Sequence, residues 1–175
     1  MRTRTAALLL FIVGLALVLP AGVSATPPNN ESATYEFVLE LPNVAQASNG
    51  DTLALLGEGT FSVHPKSANG GGSFTYTAAD GSSFDGTWTV NGLVAFQPYG
   101  CGVVFGTPLP PNFCGGRLVM DVTAITPFGA VPSQLTVFCV IGSPPPGTEE
   151  GIRVVVPGVL DFNRQLEAMN TYFKQ

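Results

Sequence analysis

Histidine, cysteine and charge are scarce in this chain, and each shortage removes a class of function. There is one histidine, His64, and the three cysteines Cys101, Cys114 and Cys139 lie at spacings of 13 and 25 that match no zinc-ligand pattern. Lys and Arg number seven against twelve Asp and Glu, with no basic cluster, which argues against nucleic acid and anionic membrane surfaces as partners. No G-x-S-x-G elbow accompanies His64, so His64-Pro65 reads as an ordinary strand terminus. The run Gly70-Gly71-Gly72 lacks the lysine and following helix of a phosphate loop and reads as a turn. No motif asks for a metal or a cofactor, and no residue is marked as catalytic.

Glycine and proline, by contrast, are abundant (21 and 15 of 175) and show no collagen period. Many short strands joined by glycine and proline turns account for both the abundance and the low charge. Residues 1–25 stand apart. Arg2 and Arg4 precede an uncharged apolar run from Ala6 to Leu19, and Val23-Ser24-Ala25 supplies a small-x-small site. That is the layout of a secretory signal peptide cleaved after Ala25; the alternative is an uncleaved anchor, since Ala6 to Ala25 approaches the length of a membrane span. Cleavage implies an exported chain, secreted or held in the cell envelope, with no further segment to cross a membrane. It also removes Arg2 and Arg4, leaving five basic residues against twelve acidic ones, a net charge of −7. Residues 26–32 form a polar leader with one glycosylation sequon, Asn30-Glu31-Ser32, and 33–175 make a single domain.

The clearest pattern runs from Gly70 to Gln97. Phe74 and Tyr76 alternate with Ser73, Thr75 and Thr77, and Phe84, Gly86, Trp88 and Val90 alternate with Asp85, Thr87 and Thr89. Period two marks strands with one buried face. A two-residue Asp80-Gly81 turn would set Tyr76 against Asp85 and mix the two faces. A three-residue loop, Ala79-Asp80-Gly81, instead pairs Tyr76 with Phe84, Phe74 with Gly86 and Thr75 with Asp85, with glycine at the left-handed position. The expectation is a bulged hairpin with an aromatic ring over Gly86. Asn91-Gly92 then reads as a second hairpin turn that completes a three-strand meander. The exposed face with Thr75, Thr77, Thr87 and Thr89 reads as the solvent side of the sheet.

The rest of the chain repeats this grammar. Tyr35–Leu41 is a strand, Leu53–Val63 is a strand bent or bulged at Gly57-Glu58-Gly59, and Leu118–Thr126, Leu135–Ile141, Ile152–Val156 and Val159–Phe162 follow. Leu166, Met169 and Phe173 have helical spacing and suggest a short C-terminal helix. Gln97–Arg117 is a long aromatic-bearing connection, the kind of loop that is usually functional. Cys101 and Cys114 near its ends suggest a disulfide worth about 3 kcal/mol on the chain-entropy model, although an odd cysteine total leaves the pairing formally open. Cys139 on an apolar strand face is most simply a buried, inert thiol. Glu149-Glu150 reads as a solvated charge pair. Eight or nine sequential strands fit an all-β fold, an antiparallel up-and-down barrel or, alternatively, a two-sheet sandwich.

The runs GEGTFSVHP, GGGSFTYT and DGTWTVNGLVAFQPYG resemble a pattern in small exported proteins, mainly bacterial, of unassigned function. The resemblance covers about the central third of the mature chain and implies an exported β-domain without passing on catalytic residues. A looser similarity to the eight-stranded barrels of allene oxide cyclases and plant dirigent proteins is one of architecture alone. Three functions remain: a binding module for a small apolar ligand in the barrel or a protein partner at the 97–117 loop; a self-assembling surface protein; and a barrel isomerase or cyclase acting on a small hydrophobic substrate. The candidate ligand-binding residues are Tyr76, Trp88, Tyr99, Phe105, Phe113 and Asp121. Asp121, between Met120 and Val122, either points into the barrel or joins the outward face of Val119 and Thr123.

Overall fold

In a computed structural model of the chain, residues 33–175 are described, so the signal-peptide and leader readings lie outside the described residues. The strands are β1 (Thr34–Ala47), β2 (Thr52–Ser62), β3 (Ser67–Thr77), β4 (Ser83–Cys101), β5 (Val103–Val104), β6 (Thr107–Pro108), β7 (Phe113–Thr126), β8 (Gly129–Cys139), β9 (Gly151–Val156), β10 (Leu160–Glu167) and β11 (Asn170–Lys174). The large sheet follows the order β1-β2-β3-β4-β7-β8-β9-β10, each strand antiparallel to the next, and β10 pairs back onto β1 through Val44 to Ala47. The sheet is therefore a closed up-and-down barrel rather than a sandwich. Closure removes the unpaired edges that an open sheet of this size would expose.

The hairpin between β3 and β4 has the expected register. Tyr76 faces Phe84, Phe74 faces Gly86 and Thr75 faces Asp85. Ala78 N–H donates to Ser82 O at 2.8 Å, and Gly81 takes the left-handed φ of +87°. The ring over Gly86 is that of Phe74: a Cβ on Gly86 would lie 2.4 Å from its Cζ.

Asn91-Gly92 does not turn the chain. β4 runs on to Cys101 and pairs with β7 on both sides of that dipeptide, Val90 with Val122 and Gly92 with Asp121. Asn91 is the extra residue of a bulge, and its Nδ2 donates to Thr123 Oγ1 at 2.9 Å. The 14 residues of β7 offer β4 a partner along its whole second half, which a local hairpin would forgo. Gln97–Arg117 is correspondingly not one long loop: β4 takes residues 97–101 and β7 takes 113–117, leaving 102–112, which hold the small β5–β6 hairpin.

β2 likewise passes through Gly57-Glu58-Gly59 in unbroken register. The irregularity sits opposite, in β1, where Leu39 pairs with Gly57 and Asn43 with Leu55. Only Leu56 lies across from Glu40, Leu41 and Pro42, and proline, with no N–H for the ladder, belongs at such a bulge.

The C-terminal helix is also corrected. β11 is a strand that lies along Tyr35–Leu39 of β1 and touches Phe113 and Cys114 of β7. Leu166 and Met169, two of the three residues of the expected helical face, stay exposed, whereas Asn170, Thr171 and Tyr172 are buried in succession between β1 and β7, as a strand covered on both sides is. β11 closes one end of the barrel. Tyr172 packs there with Phe61 (5.7 Å between centroids) and Phe96 (5.8 Å), Tyr35 stacks on Phe61 (5.0 Å), and Tyr172 Oη donates to Val137 O at 2.9 Å. Such aromatic pairs add about 0.5–1.5 kcal/mol each beyond the area they bury. The disulfide joins Cys101 to Cys114, which face each other on β4 and β7 at this same end. Serine at both positions is expected to lower unfolding free energy by about 3 kcal/mol in a chemical-denaturation comparison, from the loop entropy released; an unchanged midpoint would contradict it.

Candidate functional site

The two halves of the barrel are filled differently. Aromatic rings occupy the closed half, but the opposite half keeps a cavity of about 250 Å³. Its walls are the inward faces of seven strands: Leu53 and Leu55 of β2, Phe74 and Tyr76 of β3, Phe84 and Trp88 of β4, Val122 and Ala124 of β7, Leu135 of β8, Val154 of β9 and Phe162 of β10. These are the alternate positions of each strand, as a pleated sheet requires. Trp88 makes the floor. It is 2% exposed, its ring stacks towards Phe37 below it (6.5 Å), and its Nε1–H donates to Leu56 O at 3.0 Å.

At the open end the β–β turns form a rim, and two of them carry apolar residues in water. Phe128, in the turn between β7 and β8, is 86% exposed and touches Phe84 edge-on at 5.5 Å. Val159, between β9 and β10, is 76% exposed. Isolated exposed apolar residues are ordinary, but two at the mouth of an apolar cavity extend its lining outwards.

The polar feature of the site is Asp51, at the start of β2. Tyr76 Oη donates to its Oδ2 at 2.5 Å, Asn49 Nδ2 to the same oxygen at 2.8 Å, and Ala79 N–H to Oδ1 at 2.9 Å. The Tyr76 bond first, then those from Ala79 and Asn49, hold the Asp51 carboxyl below its ordinary value. Reciprocally, the Tyr76 hydroxyl is pushed up to about 12, chiefly by the bond to Asp51 and then by burial. The pair ties the β1–β2 turn to the β3–β4 turn and fixes the Tyr76 ring in the cavity wall.

Of the residues singled out from sequence, Tyr76 and Trp88 line this cavity. Tyr99, Phe105 and Phe113 belong to the other end of the barrel: Phe113 packs edge-on against Phe173 at 4.7 Å, and Phe105 stands 85% exposed at the tip of the β5–β6 hairpin with a φ of +46°. Asp121 does not enter the barrel. It is exposed on the outer face, where Gln134 Nε2 approaches its Oδ1 at 3.5 Å. Met120 and Val122 on either side of it are buried, so the pleat of β7 turns Asp121 outwards. Nothing in the sequence marks Asp51, because Asn49-Gly50-Asp51 reads as turn chemistry and its partner Tyr76 lies 25 residues on.

A second polar group, half-buried, sits at the closed end. Glu150 is not half of a solvated pair: its carboxylate accepts Val140 N–H and Asn170 N–H, both at 2.8 Å, and so links the β8–β9 connection to the start of β11. Burial, opposed by those two bonds and assisted by Glu40, pushes its pKa up to about 7. Cys139 is a buried free thiol that donates to Asn170 O at 3.0 Å, and burial raises it to about 12, out of the reactive range.

No protein-family model matches this chain, and no curated protein or solved structure is significantly similar to it, so the site is read from its own geometry.

Proposed function

We propose that this chain is an exported, non-catalytic binding protein that holds one small apolar molecule in the open half of its barrel. The observation that carries the reading is the cavity itself, about 250 Å³, almost wholly apolar and opening between turns that bear Phe128 and Val159. Native cores contain few voids larger than a water molecule. Eight-stranded barrels are wide enough to keep one small ligand inside. The disulfide supports an oxidising compartment and hence export. The resemblance to small exported β-domains agrees with both points.

The enzyme alternative has one observation in its favour, a tyrosine of shifted acidity beside the cavity. A hydroxyl pushed to about 12 is, however, poorly matched to proton transfer near neutral pH, where acid–base groups work best. Binding is the better-supported reading.

Trp88 is the only tryptophan and reports on the cavity directly. Apolar molecules of eight to twelve carbons are expected to change its fluorescence saturably, and protein exported from a bacterial host should carry extra non-covalent mass in native mass spectrometry. Ala124 pairs with Trp88 across β4 and β7 and so faces inward. Ala124→Phe puts a phenyl ring into the cavity and is expected to weaken binding at least tenfold, the equivalent of about 1.4 kcal/mol, while the fold persists. No saturable response from wild type, or equal binding by Ala124→Phe, would sink the proposal.

A further inference from the structure

The chemistry of the ligand follows from which hydrogen-bonding positions around the cavity are already taken; this step rests on the binding reading above. Four lining residues carry polar hydrogens: Tyr76, Trp88, Thr126 and Ser133. Tyr76 gives its proton to Asp51 (2.5 Å), Trp88 to Leu56 O (3.0 Å) and Thr126 to Gly129 O (2.9 Å). Ser133 directs its own to Val131 O across a longer 3.4 Å. None of the four has a hydrogen left to give, so what their oxygens can still offer a ligand is lone pairs, above all the second one on Tyr76 Oη, since a phenolic oxygen both donates and accepts, whereas Thr126 Oγ1 already accepts Phe128 N–H at 3.0 Å. No lysine, arginine or histidine is among the lining residues. Asp51, held as a carboxylate by three bonds, stands directly behind Tyr76.

Size sets a second limit. A dry cavity of about 150 Å³ accommodates benzene, so one of about 250 Å³ suits roughly ten non-hydrogen atoms.

We infer that the cup selects a neutral, apolar molecule of about ten non-hydrogen atoms bearing a single hydrogen-bond donor, an alcohol or phenol, whose O–H is accepted by Tyr76 Oη at the rim. Carboxylic acids of the same size are disfavoured: their anion would be stripped of water beside Asp51 with no cation to meet it. Ethers and ketones of the same size offer only acceptors to a wall that has only acceptors left, and a buried polar atom without a partner weakens binding.

The test compares three linear probes with wild-type protein at pH 8, read by Trp88 fluorescence and calorimetry. Nonan-1-ol and 1-methoxyoctane have the same number of non-hydrogen atoms and differ in the donor, and nonanoate carries the charge. The alcohol is expected to bind about fivefold more tightly than the ether, one net hydrogen bond's worth, and at least tenfold more tightly than nonanoate. Tyr76→Phe should bring the alcohol down to the level of the ether without weakening the ether. Should that variant not fold, the wild-type comparison decides alone. Ether or nonanoate bound as tightly as the alcohol would overturn the inference and leave the binding reading standing, whereas a failure of all three probes would remove the binding reading itself.

Discussion

Gly57→Val is expected to destabilise the barrel by about 3 kcal/mol or more, enough to leave most of the protein unfolded or insoluble. Gly57 lies on β2 where the wall meets the floor of the cavity. A Cβ there would fall 2.4 Å from Trp88 Cζ2 and 2.5 Å from Gly71 O, and the second obstacle is backbone that cannot swing aside. The strand conformation itself does not demand glycine, since Gly57 has no positive φ. Space does. Gly72, which pairs with Gly57 on β3, is crowded in the same way by Leu56 O, so glycine on both strands leaves room for the Trp88 ring and for close approach of neighbouring backbone. Two comparisons separate this cause from simple loss of glycine. Gly81→Ala, at φ +87° in open space, should cost about 1–2 kcal/mol from backbone strain alone. Gly92→Ala, in open space without a positive φ, should cost under about 0.5 kcal/mol, as unstrained surface changes do. Urea midpoints for the three variants check the ranking; a Gly57→Val protein as stable as Gly92→Ala would contradict the close-packed wall.

The second large effect is a stability that falls as pH rises from 5 to 8. Glu150 is raised from an ordinary 4.5 to about 7, first because it is buried. The folded protein therefore binds this proton more tightly than the unfolded chain. Such a group contributes stability that is fully present below about 4.5 and is lost as pH rises through about 7. With partial burial allowed for, the loss is about 2–3 kcal/mol. The groups facing Glu150 are Glu40, whose charge adds to the rise, and the Cys139 thiol and Tyr172 hydroxyl, both raised and neutral throughout this range. Asp51 and Asp80 act in the opposite sense, but both are lowered from 3.8, so their stabilisation is lost only in more acidic solution. Denaturation curves at pH 5, 6, 7 and 8, taken in a His64→Gln background to remove the only histidine, should show the decline. Glu150→Gln should flatten it. That variant should also be weaker than wild type at pH 5 by about 1–2 kcal/mol, because its amide can accept only one of the two N–H groups that Glu150 accepts. Stability that rises between pH 5 and 8 in the His64→Gln protein would refute the assignment.

Both predictions concern groups whose surroundings come from distant parts of the chain, and the same distinction divides what was legible in the sequence from what was not. The all-β class follows from alternation and turn residues, and the position of Cys101 and Cys114 suggests the disulfide that the structure holds. The register of the β3–β4 hairpin follows as well, down to Tyr76 against Phe84 and the aromatic ring over Gly86. These are local matters: pleat and loop geometry act over a few residues, and a slip of one would have exchanged the aromatic and threonine faces.

The bulge at Asn91, the strand at Asn170–Lys174 and the Asp51–Tyr76 pair are of another kind. At Asn91-Gly92 the choice between turn and bulge depended on whether β7, some thirty residues further on, could pair with both halves of β4. At the C-terminus, the choice between helix and strand depended on a free flank of β1 more than 130 residues earlier. Closure of the ring by β10 on β1 decides which end is plugged by Tyr172 and which keeps a cavity. A sequence states which residues prefer to be buried and at what period. How much space remains after they are buried is settled only when the ring closes, because volume belongs to all the strands together and to no one of them.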